Sequence, residues 1–165
     1  MSRYRLRRIK DIDDDTYKEI LTSLYKYELS YCLRWLGNSE RSEAELRKRL
    51  KQRQVPQDVI NEVIDKLSEN NYLCDERAAE AMIRSLTRKG YGPSYIRKKM
   101  YEKGLKAEEV LFEKVDFHEV CRQAFDKYMA RRKESNPMKK RQLALNHLTR
   151  RGFRYDMIRE VIGSE

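Results

Sequence analysis

The chain has 165 residues, with 37 Lys and Arg against 27 Asp and Glu, so its formal net charge at pH 7 is +10. This charge favours polyanions or acidic protein surfaces as partners. No stretch approaches the roughly 20 apolar residues that cross a bilayer, and residues 1–8 lack the apolar segment of a signal peptide, so we expect a cytoplasmic protein with no membrane partner.

The composition predicts an all-α fold. Hydrophobic and charged residues each make up 39% of the chain, and there are only six glycines and three prolines. The long stretches between them are rich in Leu, Arg, Lys, Glu and Ala, which favour helices. The apolar residues are expected on narrow helical stripes rather than in one thick core.

The first predicted elements follow a charged arm at residues 1–14. A helix is expected from near Asp15 to Gly37, and the nearby acids, Asp11, Asp13, Asp14 and Asp15, are interpreted as helix-capping groups rather than catalytic carboxylates. Ser42-Glu43-Ala44-Glu45 has the pattern of a capping box. Pro56 is expected at the first position of the helix that follows.

Glycines and prolines also mark the later predicted helices. One helix opens at Asp75 and ends at Gly90, and the next runs from Pro93 to Gly104. A later helix runs from near Pro137 to Gly152, and Gly163 ends the last one. Proline suits the first helical position and glycine suits the position after the last turn.

An apolar pattern recurs three times in the chain. Spacings of 4, 5 and 5 residues separate its members each time, and the copies lie 50 and then 48 residues apart. A helical array is typically recognised by such self-similarity. The members are Leu46, Leu50, Val55 and Ile60, then Ile96, Met100, Leu105 and Val110, then Ala144, Leu148, Phe153 and Ile158. Gln54, Gly104 and Gly152 occupy the same helix-end position in the three copies.

The repeats predict about nine helices in three tandem three-helix units. Their expected boundaries are 15–71, 72–114 and 115–165, and the units are expected to form an elongated curved array. The alternative is a single irregular helical bundle whose spacings agree by chance, because leucine at intervals of four is common in amphipathic helices.

Positive charge is concentrated around the middle helix of each predicted unit. Residues 41–53 hold six basic and two acidic side chains, residues 82–103 hold seven and one, and residues 131–154 hold nine and one. The segment 88–99 also interleaves tyrosines with its cations, a pattern that suits phosphate groups. The predicted partner-binding residues are Arg47, Lys48, Arg84, Arg88, Lys89, Tyr91, Arg97, Lys98, Lys99, Lys139, Lys140 and Arg141.

The sequence contains no pattern typical of an enzyme. It lacks G-x-S-x-G and H-E-x-x-H motifs, and two histidines provide little material for acid–base chemistry. Cys32, Cys74 and Cys121 are far apart and odd in number, which indicates reduced thiols rather than disulfides or zinc ligands. We therefore expect no catalytic residues, no metal site and no cofactor.

Several stretches resemble the signature of the RecX regulatory family. These are Asn71-Tyr72-Leu73-Cys74-Asp75-Glu76-Arg77, Arg88-Lys89-Gly90-Tyr91-Gly92-Pro93-Ser94-Tyr95-Ile96-Arg97 and Glu102-Lys103-Gly104-Leu105. Upstream, Ser42 to Arg47 with Leu50 resembles the family's first-repeat motif. Within these stretches we interpret Tyr72, Asp75, Gly92, Pro93, Ile96 and Gly104 as structural residues.

The resemblance implies a small protein of tandem three-helix repeats that binds the RecA nucleoprotein filament. Members of this family inhibit RecA ATP hydrolysis, strand exchange and co-protease activity, and so modulate recombination, DNA repair and the SOS response. The resemblance also implies weak binding to single- or double-stranded DNA, and we expect a monomer. The alternative is a direct DNA-binding protein, because three-helix units resemble helix-turn-helix modules whose basic helices enter grooves.

Overall fold

The computed structural model describes residues 12–163, and this range contains nine α-helices and no strand. This confirms the all-α prediction. The helices are α1 (Asp14–Leu36), α2 (Glu43–Gln52), α3 (Gln57–Glu69), α4 (Asp75–Arg88), α5 (Pro93–Glu102), α6 (Glu109–Glu113), α7 (Phe117–Arg131), α8 (Pro137–Arg150) and α9 (Tyr155–Gly163). Most of the predicted N-terminal arm, including Asp11, lies outside the described residues.

Side-chain caps begin the first two helices as predicted. The Asp13 carboxylate accepts hydrogen bonds from the backbone N–H groups of Asp15 at 3.1 Å and Thr16 at 2.8 Å. These bonds, above all those from Thr16, lower the pKa of Asp13 below its ordinary value. Ser42 and Glu45 form both hydrogen bonds of a capping box at α2. Asp13 therefore has the capping role predicted for it, and Asp14 and Asp15 lie in the first turn of α1.

The three predicted helix-end positions share one unusual backbone conformation. Gln54, Gly104 and Gly152 have φ angles of 61°, 71° and 85°, in the left-handed region that favours glycine. Pro93 and Pro137 are the first residues of their helices, as predicted. Pro56 instead is the N-cap of α3, one residue ahead of the predicted position.

The described residues divide into two compact units. The first contains residues 12–78 together with Lys103–Leu105. In it α3 packs against α1 and α2. Its core consists of Leu24, Cys32, Leu46, Leu50, Val55, Val59, Ile60, Val63, Ile64, Leu67 and Leu73.

The second unit contains Ala79–Glu102 and residues 106–163. Helices α7, α8 and α9 pack against one another. They enclose a core of Cys121, Ala124, Phe125, Ala144, Leu148, Phe153, Ile158 and Val161. The boundaries predicted for three separate units stay a prediction.

Eleven of the twelve apolar repeat positions are buried, and Val110 is the exception. Its side chain is 54% exposed, while the next two residues, Leu111 and Phe112, are buried. The reason lies in the loop before α6. This helix begins four residues after Leu105, whereas α3 begins two residues after Val55, so the helical stripe is shifted in phase. The prediction for Val110 was wrong.

In the second unit, the start of α5 docks directly on the end of α8. The backbone N–H of Gly92 donates to the carbonyl of Arg151 at 2.8 Å, and that of Ser94 donates to the carbonyl of Gly152 at 3.1 Å. A Cβ atom on Gly92 would lie 2.5 Å from the Gly152 oxygen. Only glycine permits this approach, which explains the structural role predicted for Gly92.

An equivalent joint occurs in the first unit, between the start of α2 and the segment Lys103–Gly104. The Ser42 hydroxyl donates to the carbonyl of Lys103 at 2.5 Å. A Cβ atom on Gly104 would lie 2.5 Å from the Cβ of Ala44. Asp75 adds a further link, because its carboxylate accepts a hydrogen bond from the Glu43 backbone N–H at 2.8 Å. The predicted structural residues Asp75 and Gly104 thus hold the start of α2.

The three cysteines are free, and two of them belong to the cores. Burial raises the pKa of Cys32 to about 12 and that of Cys121 to about 11. Because the thiolate is the reactive form, both side chains act as small apolar groups. Across residues 12–163 there is also no helix with the length and apolar character that a bilayer crossing requires.

Candidate functional site

In the first unit, the predicted cations Arg47 and Lys48 lie on α2. Arg47 donates to Glu43 at 2.6 Å and to the Asn61 side chain at 2.8 Å, so its charge is engaged within the unit. Lys48 is exposed. Both border an open groove of about 500 Å³ whose other lining residues are Ala44, Lys51 and Gln52.

Arg97 and Lys99, on α5 in the second unit, make contacts within that unit. The Arg97 guanidinium donates to both carboxylate oxygens of Glu109, at 2.6 and 2.8 Å, and lies 4.2 Å from the centre of the Phe112 ring. Lys99 pairs with Glu102 at 2.5 Å, which raises the pKa of the lysine and lowers that of the glutamate. These two cations stabilise local structure.

Tyr91 is also engaged within the second unit. Its ring stacks on that of Tyr95 with 4.1 Å between centroids and an angle of 11° between planes. The Arg151 guanidinium lies 5.0 Å from the centroid of the Tyr91 ring. The half-buried ring therefore packs between helices, and little of it is left for stacking on a partner.

The remaining predicted cations of the second unit are more accessible. Arg84 is 65% exposed and lies 3.5 Å from Glu80, and Lys139 is 66% exposed and lies 3.2 Å from Glu134. Lys140 is half-buried. Arg88, Lys89, Lys98 and Arg141 are exposed, and none of them forms an ion pair with another residue in the range 12–163.

The most concentrated positive charge lines a cavity in the second unit. This cavity has a volume of about 460 Å³ and is bordered by α7, α8 and the end of α4. Among the described residues, seven cations line it and no carboxylate does. They are Arg88, Lys89, Lys127, Arg131, Arg132, Arg150 and Arg151, and Thr87, Gly90, Val120, Gln123, Ala124, Tyr128 and His147 complete the lining.

Arg151 is held in place at the cavity wall. Its guanidinium donates to the carbonyls of Lys89 and Gly90, the latter at 3.1 Å, and to Nε2 of His147 at 3.0 Å. The His147 ring stacks on Tyr128, with 4.4 Å between centroids. Partial burial, followed by the charges of Arg151, Arg150 and Arg132, lowers the pKa of His147 below its ordinary value.

The sequence identified only part of this cavity. Arg88 and Lys89 were predicted to bind a partner, whereas the other five cavity cations were not singled out: Lys127, Arg131, Arg132, Arg150 and Arg151. The high basic content of residues 131–154 was a usable signal. It could not show which side chains of α7 and α8 converge with the end of α4, because that depends on packing between distant segments.

No group of three or more His, Cys, Asp and Glu side chains within residues 12–163 is placed to hold a metal ion. The arrangement offers cations, a tyrosine ring and one histidine whose Nε2 is occupied by Arg151. Such a constellation can bind anions.

This chain is similar to several proteins named regulatory protein RecX. The protein named regulatory protein RecX from Streptococcus uberis is 26% identical over 144 residues, covering 85% of this chain and 56% of that protein. The Pseudomonas putida regulatory protein RecX is 32% identical over 127 residues, covering 74% of this chain and 81% of that protein. A crystal structure described as regulatory protein RecX superimposes with a TM-score of 0.77 at 21% identity, covering 98% of this chain and 84% of that one.

Family models match successive parts of the chain. The first three-helix domain of RecX matches residues 29–67, the second matches residues 75–110 and the third matches residues 115–162. Together these matches cover most of the chain, in the order found in the family. The chain therefore belongs to the RecX family of regulatory proteins.

Proposed function

We propose that this protein regulates RecA nucleoprotein filaments by binding them and thereby inhibits RecA ATP hydrolysis, strand exchange and co-protease activity. Family membership across all three domains is the observation that carries the proposal. In this role the protein modulates recombination, DNA repair and the SOS response. It acts as a monomer and binds DNA only weakly by itself.

Among the predicted cations, those that are exposed and form no ion pair with a residue from 12 to 163 are the proposed contacts. In the second unit these are Arg88, Lys89, Lys98 and Arg141, and in the first unit Lys48 is exposed. Each exposed ion pair is worth only about 0.2–1 kcal/mol, so many such contacts must act together. Arg97 is excluded from this set because Glu109 already binds its guanidinium.

The protein is proposed to act without catalysis. Inhibition requires binding energy alone, and dispersed surface cations supply affinity and speed of association without positioning a reacting group.

The test is the ATPase activity of RecA on single-stranded DNA with substoichiometric amounts of the protein. The parent should inhibit hydrolysis. A variant carrying Arg88→Glu, Lys89→Glu and Lys98→Glu should lose at least about tenfold in potency, equal to about 1.4 kcal/mol. Each single substitution should have a small effect.

A control variant with the same change in net charge carries Lys26→Glu, Lys106→Glu and Arg122→Glu, all at exposed positions outside the proposed set. It should inhibit like the parent, with the same helical circular dichroism. Equal potency of the two triple variants would contradict the proposed surface. A parent that binds DNA with steep salt dependence, yet leaves RecA unaffected when DNA is in excess, would favour the direct DNA-binding alternative.

A further inference from the structure

The cavity between α7, α8 and the end of α4 concentrates positive charge without compensation. None of its seven cations forms an ion pair with any residue from 12 to 163, although ion pairs are frequent elsewhere in this range. Like charges brought together repel one another, and the repulsion is larger in a partly enclosed space than in open water. An anion in the cavity would remove this cost.

Several of these cations are held by neutral partners, which leaves their charge available. Arg132 donates to the Tyr128 hydroxyl at 3.1 Å, and Arg150 donates to the carbonyl of Asn146 at 3.3 Å. Arg151 is fixed by two carbonyls and by His147. Guanidinium groups fixed in this way lose little freedom on binding and present paired donors suited to phosphate oxygens.

His147 responds to the positive field of the cavity. Among the described residues, the charged and titratable groups around it are Arg150 and Arg151 from α8 and its C-cap, Lys127, Tyr128, Arg131 and Arg132 from α7 and its C-cap, and Arg88 and Lys89 at the end of α4. None of them is a carboxylate. Burial and the neighbouring arginines lower the pKa of His147, which agrees with a site that lacks a counter-ion.

The volume and charge of the cavity define the class of ligand. A volume of about 460 Å³ suits a small molecule, because ligand pockets typically measure about 300–1,000 Å³. Seven cations exceed the charge of one phosphate group. We propose that this cavity binds a small anion carrying two or more phosphate groups. The inference rests on the second unit alone and does not depend on the proposed action on RecA.

The first test is isothermal titration calorimetry of the full chain with inorganic tripolyphosphate. We expect one site, and at least tenfold weaker binding of orthophosphate. The double variant Lys127→Glu, Arg131→Glu should weaken tripolyphosphate binding at least tenfold. Both side chains are exposed and border the cavity, and the variant leaves Arg88 and Lys89, the residues proposed to contact RecA, unchanged.

A single-charge control is Arg122→Glu, which reverses an exposed charge on the same helix but outside the cavity. It should bind like the parent. Equal weakening by Arg122→Glu, or no binding of tripolyphosphate at millimolar concentration, would overturn the proposal. The phosphate groups could belong to a small molecule or to single-stranded DNA, and a twelve-nucleotide oligothymidylate distinguishes these two sources. Its displacement by tripolyphosphate would support the proposal, whereas binding of the oligonucleotide alone would overturn it.

A second readout follows the two histidines by NMR, with His147→Gln used to assign their signals. Bound phosphate stabilises the protonated imidazole, so tripolyphosphate should raise the pKa of His147. His118 is the internal control, because it is exposed beside Glu160 at 3.4 Å and does not border the cavity. An unchanged His147 pKa at saturating tripolyphosphate would show that the anion binds elsewhere.

Discussion

In the first unit, the partly exposed Arg53 side chain binds a carboxylate in the interior. The Glu28 carboxylate on α1 has no exposed surface and accepts two hydrogen bonds from the Arg53 guanidinium, both at 2.9 Å. The guanidinium also lies 4.0 Å from the centre of the Tyr31 ring. A buried carboxylate is tolerated only with such compensation, so this pair fixes α1 against the end of α2.

Glu28→Gln should therefore destabilise the protein by about 3 kcal/mol, because breaking a buried ion pair leaves the remaining charge without its partner. Urea denaturation at pH 7 measures the change in the free energy of unfolding. Glu19→Gln, on an exposed part of the same helix, is the control and should change stability by less than about 0.5 kcal/mol. A loss below about 1 kcal/mol for Glu28→Gln would contradict the role given to the pair.

The contrast between Arg97 and Arg88 shows what sequence can and cannot reveal about single residues. Both belong to a basic segment that the sequence correctly located. Arg97 donates to Glu109, which is twelve residues away across the loop between α5 and α6, whereas Arg88 donates to the carbonyl of Arg84 on its own helix and forms no ion pair within residues 12–163. Composition identifies a cation, but only the path of the chain decides whether a carboxylate reaches it.

At the scale of elements, two hydrogen-bonded joints hold the start of one helix against the segment that ends a later helix. One joint is at Gly92, at the start of α5, and the other is at Ser42, at the start of α2. In both joints the acceptors are backbone carbonyls just beyond the end of a helix. They belong to Arg151 and Gly152 in one joint and to Lys103 in the other. The left-handed glycine in each acceptor segment turns the chain so that these carbonyls are available.

Gly92→Ala should cost about 2–3 kcal/mol, because the new methyl group would meet backbone atoms that cannot rotate away. Thermal or urea unfolding followed by circular dichroism measures the loss. Gly37→Ala is the matched control. Its φ is −59° and the nearest atom to its added Cβ lies at 3.5 Å, so the change should be neutral or stabilising by up to about 1 kcal/mol. Equal stability of the two variants would show that the close approach at Gly92 is unimportant.

Most elements could be predicted because their signals are local. Glycine after a helix, proline at its first position and a capping box act within a few residues, and they placed α1, α2, α4, α5 and α8 correctly. The error at Val110 arose because the repeat spacing was carried across a loop of different length. Loop length changes the phase of an apolar stripe without changing local propensity.

At the scale of the whole molecule, the net charge of +10 favours association with negatively charged partners. The cations have different roles. Some, such as Arg53 and Arg97, form ion pairs that stabilise the units, and others are exposed or line the cavity. The sequence correctly indicated the family, the helical repeats and the excess of charge. It did not indicate the cavity, which exists only where three separate segments pack together.

The proposed inhibition of RecA should weaken as salt rises. Exposed charges are screened over roughly 8 Å at physiological ionic strength, so the concentration for half-inhibition should increase at least about tenfold between 50 and 200 mM NaCl. Rates of RecA alone at each salt concentration provide the normalisation. The triple variant Arg88→Glu, Lys89→Glu, Lys98→Glu should show a shallower dependence, and a salt-independent parent would contradict an electrostatic interface.

The backbone joint at Gly92 has a consequence for how such sequences diverge. Its two hydrogen bonds join main-chain atoms, which every amino acid except proline supplies, and the joint requires small residues only at Gly92 and Gly152. The surrounding side chains can therefore be substituted during evolution while the start of α5 stays bound to the end of α8. At this joint, evolution needs to preserve only the absence of a side chain at Gly92 and Gly152 rather than a set of matched side-chain contacts.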